Sequence, residues 1–233
     1  MAVQMTNQLV ITIDGPAGAG KTTVSRLLAV RLQYRYIDTG ALYRGVALAA
    51  QRNAVAADDE DRLETLCQGL KLHFVRNSTG GSRLYCGEED IEDQIRSAEI
   101  SMLASAVSAR PVVRRFLLDV QRQLGRSGGA VFEGRDTGTV IFPDADVKFF
   151  LDAPLAVRAR RRHKEFENRS AQSLTQVQND MHQRDHNDQS REIAPLKAAE
   201  DAIHIDSEGL DPKGVVERML TFIATRQSPR PAK

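Results

Sequence analysis

Gly15-Pro16-Ala17-Gly18-Ala19-Gly20-Lys21-Thr22 sets three glycines, a lysine and a hydroxyl directly behind the short apolar lead-in "ITID", and Thr23 follows. Every fixed position of G-x-x-x-x-G-K-[ST] is met, between a predicted strand and a predicted helix, which is the context that motif requires. Its glycines let successive backbone N–H groups turn inward around an anion at a helix N-terminus. Lys21 can reach β- and γ-phosphates, and the Thr22 hydroxyl can sit on Mg²⁺. The stretch reads as a P-loop. The N-K-x-D element by which GTPases read their base has no counterpart in the chain, so a GTP switch is excluded.

Three further stretches could face phosphate. In "DTGALYR" (38–44) a Thr at a helix start is followed by Tyr43 and Arg44, which brings hydroxyl, ring and guanidinium near one another. Read alone, it is equally a capped helix with a core Tyr and a solvated Arg. In "EGRDTGTVIFPDA" (133–145) Arg135 and Asp136 stand at the carboxyl end of a buried strand, where open α/β sheets place ligands; a plain surface turn is the other reading. "RARRRHKEFENR" (158–169) and "HQRDHNDQSREIAPL" (182–196) are charge runs that in isolation read as solvated helix faces. Behind a phosphate-binding core they read instead as a mobile lid that carries arginines onto phosphates.

These groups need a scaffold. At 233 residues, 41 % hydrophobic and 27 % charged, the chain can bury one α/β core with a small inserted lobe. Residues 9–13, 34–38, 128–134, 146–152 and 203–206 read as strands. Helices are expected from Thr22 to about Gln33, from about Ala41 to Arg52 with Thr39 as cap, and from about Lys213 onward. "LKLHFV" and "RLYCG" around "RNSTGGS" signal a hairpin, and the segment from Glu88 to Leu124 reads as helices with a break near Pro111. Strands alternating with helices predict a P-loop NTPase-type parallel sheet flanked by helices, with an inserted nucleotide-binding lobe and a mobile lid. The expected layout is one domain over 1–233, with core 1–67, 111–156 and 171–233, lobe about 68–110 and lid about 157–170.

Composition narrows the partners. A net charge of +1 and 5 % aromatics with no Trp argue against a nucleic-acid surface, and no segment approaches the roughly 20 apolar residues of a membrane span. The 25 Arg against 7 Lys suit bidentate phosphate binding, although biased codon usage is an equal source of the excess. Cys67 and Cys86 lie in no C-x-x-C and fit a reducing compartment. "MAVQMTNQLVITID" has no basic stretch leading into an apolar run, so a cytoplasmic protein is expected, and the tail carries no clear association helix, which favours a monomer.

The chain resembles the bacterial-type cytidylate kinases of the nucleoside monophosphate kinase group. The likeness runs from "ITIDGPAGAGKTT" through "YIDTGALYR", "EGRDTGTVIFPDADVKFFLDA" and "QRDHNDQSREIAPL" to "IHIDSEGLDPKGVVERML". "GRD-x-GT-V-x-FPDA" with the hairpin insertion sets that family apart from adenylate and thymidylate kinases. The resemblance implies transfer of the γ-phosphoryl of ATP to CMP or dCMP with Mg²⁺. It implies that Ser105, Arg114 and Asp136 read cytosine and that Arg44, Arg135 and Arg191 hold the acceptor phosphate. Thr39 and Tyr43 would line the monophosphate site, Arg184 and Asp188 would lie near the ribose and the transferring phosphate, Arg158 and Arg162 would be lid arginines, and the adenine would pack around Asp206. Glu133 departs from the pattern, since Asp is frequent there, and it could hold Mg²⁺ through water. A P-loop kinase for UMP, AMP or shikimate is the nearest rival, and an ATP-binding module gripping RNA is a more distant one.

Overall fold

The structure, a computed structural model, describes residues 8–76, 82–166 and 172–227. The expected hairpin turn, the far end of the lid, the N-terminal stretch and the tail beyond 227 lie outside them.

Five strands form one parallel sheet. β1 (Val10–Asp14) is central, flanked by β6 (Ala130–Gly134) and β7 (Val147–Asp152), with β2 (Arg35–Asp38) and β8 (Ile203–Asp206) at the edges, in the order β2-β6-β1-β7-β8. β6 is buried at every position and β1 at all but its first, because helices cover both faces and leave no polar face to alternate. Register decides function here. Asp38 lies opposite Glu133, and Asp14 opposite Gly134, so three chain segments leave the sheet side by side at its carboxyl edge.

α1 (Lys21–Leu32) and α8 (Pro212–Gln227) cover one face, where Val24, Leu28, Val215 and Met219 pack on Ile11, Ile13 and Phe149. α2 (Thr39–Arg52) covers the other face and is itself the centre of a second core, shared with α4 (Ala98–Val107), α5 (Pro111–Gly125) and the antiparallel strands β3 (Leu72–Arg76) and β4 (Ser82–Cys86). The inserted sheet therefore docks on α2: a Cβ on Gly45 would lie 3.1 Å from both Leu72 and Leu84. α6 (Leu155–Phe166) and α7 (Leu174–Ser190) pair with each other, sharing Ala159, Val177 and Met181. Among the described residues no helix is long and apolar enough to cross a membrane.

Three expectations are corrected. Thr39 does not cap α2; Asp38 does, accepting the Ala41 N–H at 3.0 Å, because the Thr39 hydroxyl is turned across the sheet onto the Glu133 carbonyl at 2.7 Å. The helix expected from Glu88 starts only at Ala98. Before it the chain pairs Glu89–Asp90 (β5) with β4 and makes a single 3-10 turn over Gln94–Arg96. No element is expected between 53 and 68, yet α3 (Glu60–Gly69) forms there. Its signals are local: Asp59 caps it, Glu60 and Asp61 favour its N-terminal dipole, and Leu63 and Cys67 share the buried face.

Candidate active site

The P-loop leaves β1 through Gly15, whose φ of +147° and closeness to β7 exclude any side chain: a Cβ would fall 1.9 Å from the Leu151 carbonyl oxygen. It ends at Gly20, which starts α1 in the left-handed region with no side chain capping the helix. The first amides of α1 are thus left for an anion. Lys21, 4 % exposed, folds back to donate to the Pro16 carbonyl at 2.6 Å. Burial, with Arg135 beside it, pushes its ammonium down to about 7. Thr22 donates to Glu133 Oε1 at 2.8 Å, and Tyr36 donates to Glu133 Oε2 at 2.6 Å.

A cleft of about 370 Å³ opens beside this loop, between α2, the α4–α5 corner and α6–α7. Among the described residues eight cationic and five anionic side chains line it, a local positive excess in a nearly neutral chain. At the far end Arg114 donates to Asp136 through a very short contact and to the Ser108 carbonyl at 3.1 Å, with its guanidinium 5.6 Å above the Tyr43 ring. Arg191 stands 3.6 Å from the other Asp136 oxygen and donates to the Ala194 carbonyl at 2.7 Å. Burial outweighs the pull of Arg114 and Arg191 and holds the Asp136 carboxyl above the ordinary carboxylate range. Burial also lifts the Tyr43 phenol to about 12.

Between the two ends Arg135 donates to Asp188 at 3.1 Å, and Arg44 donates to Asp38 at 2.7 Å. Burial works to raise Asp38, but Arg44 and Arg96 outweigh it and hold the carboxyl low. Burial and the neighbouring cations, Arg135 foremost, lower Arg184 to about 10. Ser105 Oγ, Arg44 Nε, Arg184 Nε and Arg191 Nη2 are buried and find no hydrogen-bond partner among the described residues. Crowded cations and unsatisfied donors around one space are what a polyanion would relieve.

The structure brings most of the expected residues to this cleft: Ala17, Gly18, Gly20, Lys21, Thr22 and Thr23 from the loop; Thr39, Tyr43 and Arg44 from α2; Ser105, Arg114, Arg135, Asp136, Arg162, Arg184, Asp188 and Arg191 from the far wall. Gly15, Pro16 and Ala19 shape the loop from behind. Two residues lie elsewhere. Arg158 is buried under the loop, bonded to Asp185 at 2.6 Å and to the carbonyls of Ala17 and Ala153 at 3.0 and 2.7 Å, so it buttresses the P-loop. Asp206 is exposed at the end of β8 and accepts the Glu208 N–H; its neighbour Ser207 takes the inward place, bonded to Arg161 at 2.9 Å and to the Ala19 carbonyl at 3.1 Å. Arg96 and Asp38 line the cleft and were missed by sequence reasoning. Asp38 carried a signal, as a cap residue at a strand end. Arg96 carried none, because its contact with Asp38 is tertiary.

A central P-loop, a parallel sheet in this order and a cation-lined cleft at its carboxyl edge define a P-loop phosphotransferase of the small-molecule kinase type. The sequence model of the cytidylate kinase family matches residues 11–225. The chain is similar to the cytidylate kinase of Geobacter sulfurreducens, 49 % identical over 224 residues and covering 96 % of each chain. It is equally similar to that of Syntrophotalea carbinolica, 49 % identical over 224 residues, covering 96 % of this chain and 95 % of that one. Among solved structures it is similar in fold to an uncharacterized protein from Eubacterium ventriosum, with a TM-score of 0.53 at 12 % identity, covering 94 % of this chain and 99 % of that one. The chain belongs to the cytidylate kinase family.

Proposed function

We propose that this protein transfers the γ-phosphoryl group of ATP to CMP or dCMP, giving the nucleoside diphosphate and ADP. One observation carries the reading. One cleft holds the P-loop lysine at one end and a polar set at the other, the buried Arg114 and Asp136 with the half-buried Ser105, whose Oγ is itself buried. Cytosine offers an amino donor where uracil offers a carbonyl. A carboxylate at Asp136 accepts from that amine and repels the carbonyl, and Arg114 and Ser105 serve the ring acceptors. Wrongly paired buried polar groups discriminate more strongly than shape does.

The acceptor phosphate is already ionised near neutral pH, so no side chain has to act as base. Arg44, Arg135 and Arg191 hold it. Arg184 and Arg162 stand where charge develops on the transferring group, and Lys21 meets the donor phosphates. Thr22 and Glu133, two hard oxygen donors in contact beside the loop, fit Mg²⁺ and would hold it there. When bound, that ion neutralises charge on the donor phosphates. α6 and α7 flank the junction and exclude water from it, with the stretch about 157–170 as the lid. The core then carries the donor loop and most of the acceptor residues, and the inserted lobe about 68–110 adds Ser105 to the acceptor end. Monomeric and cytoplasmic action belongs to the same reading.

Two measurements follow. In an ADP-release assay over CMP, dCMP, UMP, AMP and shikimate, CMP and dCMP turn over well above the rest; another preferred acceptor would overturn the base-reading residues. ATP binding also takes up a proton. Lys21 titrates at about 7 in the free protein, phosphates favour its charged form, and uptake therefore grows as pH rises through about 7 to 8 while affinity falls. Calorimetry in two buffers of different ionisation enthalpy reads the uptake, and Lys21→Met abolishes it. Equal heats in both buffers would contradict this assignment.

A further inference from the structure

Asp14, the last residue of β1, takes no part in the chemistry described so far. The residue is 4 % exposed and immediately precedes the P-loop. Oδ1 accepts both the backbone N–H of Thr137 at 3.0 Å and its hydroxyl at 2.6 Å, and Oδ2 accepts the N–H of Gly138 at 2.7 Å. These two residues open a single π-type turn, Thr137–Ile141, in which the Val140 and Ile141 amides return to the Asp136 carbonyl. Immediately before it stand Arg135 and Asp136.

The turn has no slack. A Cβ on Gly138 would lie 2.8 Å from Thr12 Oγ1, and one on Gly134 would lie 2.5 Å from Thr137 Cγ2. Any displacement at 137–138 is therefore passed along the chain to Asp136, whose carboxylate sits against Arg114 and Arg191. We infer that Asp14 is a positioning residue for base selection: its carboxylate pins the Thr137–Gly138 turn to the P-loop strand and thereby sets the Asp136 carboxylate in place. This rests on the reading of Asp136 as the group that recognises cytosine. It ties the acceptor-base end of the cleft to the strand that launches the donor loop.

The test is the ratio of kcat/KM for CMP over UMP, measured beside the KM for ATP. Asp14→Asn keeps an acceptor for only part of the donor set and turns an NH₂ group toward another N–H. Its ratio falls by about tenfold or more while the KM for ATP stays within about threefold. Thr137→Val removes only the hydroxyl and lowers the ratio by about threefold; Thr137→Ser keeps the hydroxyl and restores the ratio to within about twofold. If Asp14→Asn does not yield folded protein, the Val and Ser pair at 137 decides alone. Folded variants that keep the wild-type ratio would show a merely structural carboxylate and overturn the inference. A wild-type protein with no preference for CMP would instead remove the reading of Asp136, and this inference with it.

Discussion

Lys21→Met is expected to lower kcat by about a thousandfold, close to 4 kcal/mol of transition-state stabilisation. The reaction asks little covalent chemistry of the protein, so a cation placed against the donor phosphates supplies a large share of the effect. The substitution is close in volume and removes the charge. In the free protein that charge is a liability: the residue is 4 % exposed and its ammonium is bonded to one carbonyl at 2.6 Å. The variant should therefore melt no lower than the wild type, which separates lost catalysis from lost folding. Steady-state rates at saturating substrates together with a thermal melt check both halves. A loss below tenfold would mean that Lys21 does not act on the transferring group.

Asp136→Asn carries the second large effect, and it falls on both function and stability. Two buried guanidiniums, with side chains 8 % and 7 % exposed, share this carboxylate. Removing its charge leaves Arg114 without its carboxylate partner and Arg191 with Asp188 at 3.8 Å, which costs about 3 kcal/mol by comparison with other broken buried pairs. A melting temperature about 6–12 °C lower is expected for a chain of this size. The loss in kcat/KM for CMP is about a thousandfold, most of it in KM, with ATP binding little changed. Adding Arg114→Met to the variant should recover part of the stability without recovering CMP, because it removes one stranded charge. Retention of the CMP preference in Asp136→Asn would separate this carboxylate from base reading.

What the sequence made legible follows from how far apart the cooperating residues stand. The P-loop is a local object: its glycines, lysine and threonine meet one another within eight positions, and the backbone of that stretch suffices to place them. The parallel strands were legible because β-branched apolar runs buried on both faces leave little ambiguity. The arginine run on α6 was not. Helical periodicity groups Arg158, Arg161 and Arg162 on one side, but the packing of α6 on α7 decides which of them goes under the loop and which reaches the cleft. Thr39 and Asp38 are both cap residues, and only the register of β2 on β6, which brings the Glu133 carbonyl to Thr39, chooses between them. Arg96 is the extreme case. It lies 58 residues from Asp38 and reaches the cleft only because the inserted lobe folds onto α2. α3, by contrast, carried its own cap and apolar spacing, so its absence from the expectations reflects a short helix amid polar residues and no lack of signal.

In the proposed reaction one cleft holds both nucleotides and passes a phosphoryl group between them. ATP labelled on its γ-phosphorus, mixed with CMP, Mg²⁺ and the protein in a single turnover, tests it most directly. The label is expected in CDP at the rate at which it leaves ATP, with none detectable as inorganic phosphate on that time scale, because α6 and α7 keep water from the junction. Label recovered as inorganic phosphate, or retained in ATP while CMP is bound, would contradict it.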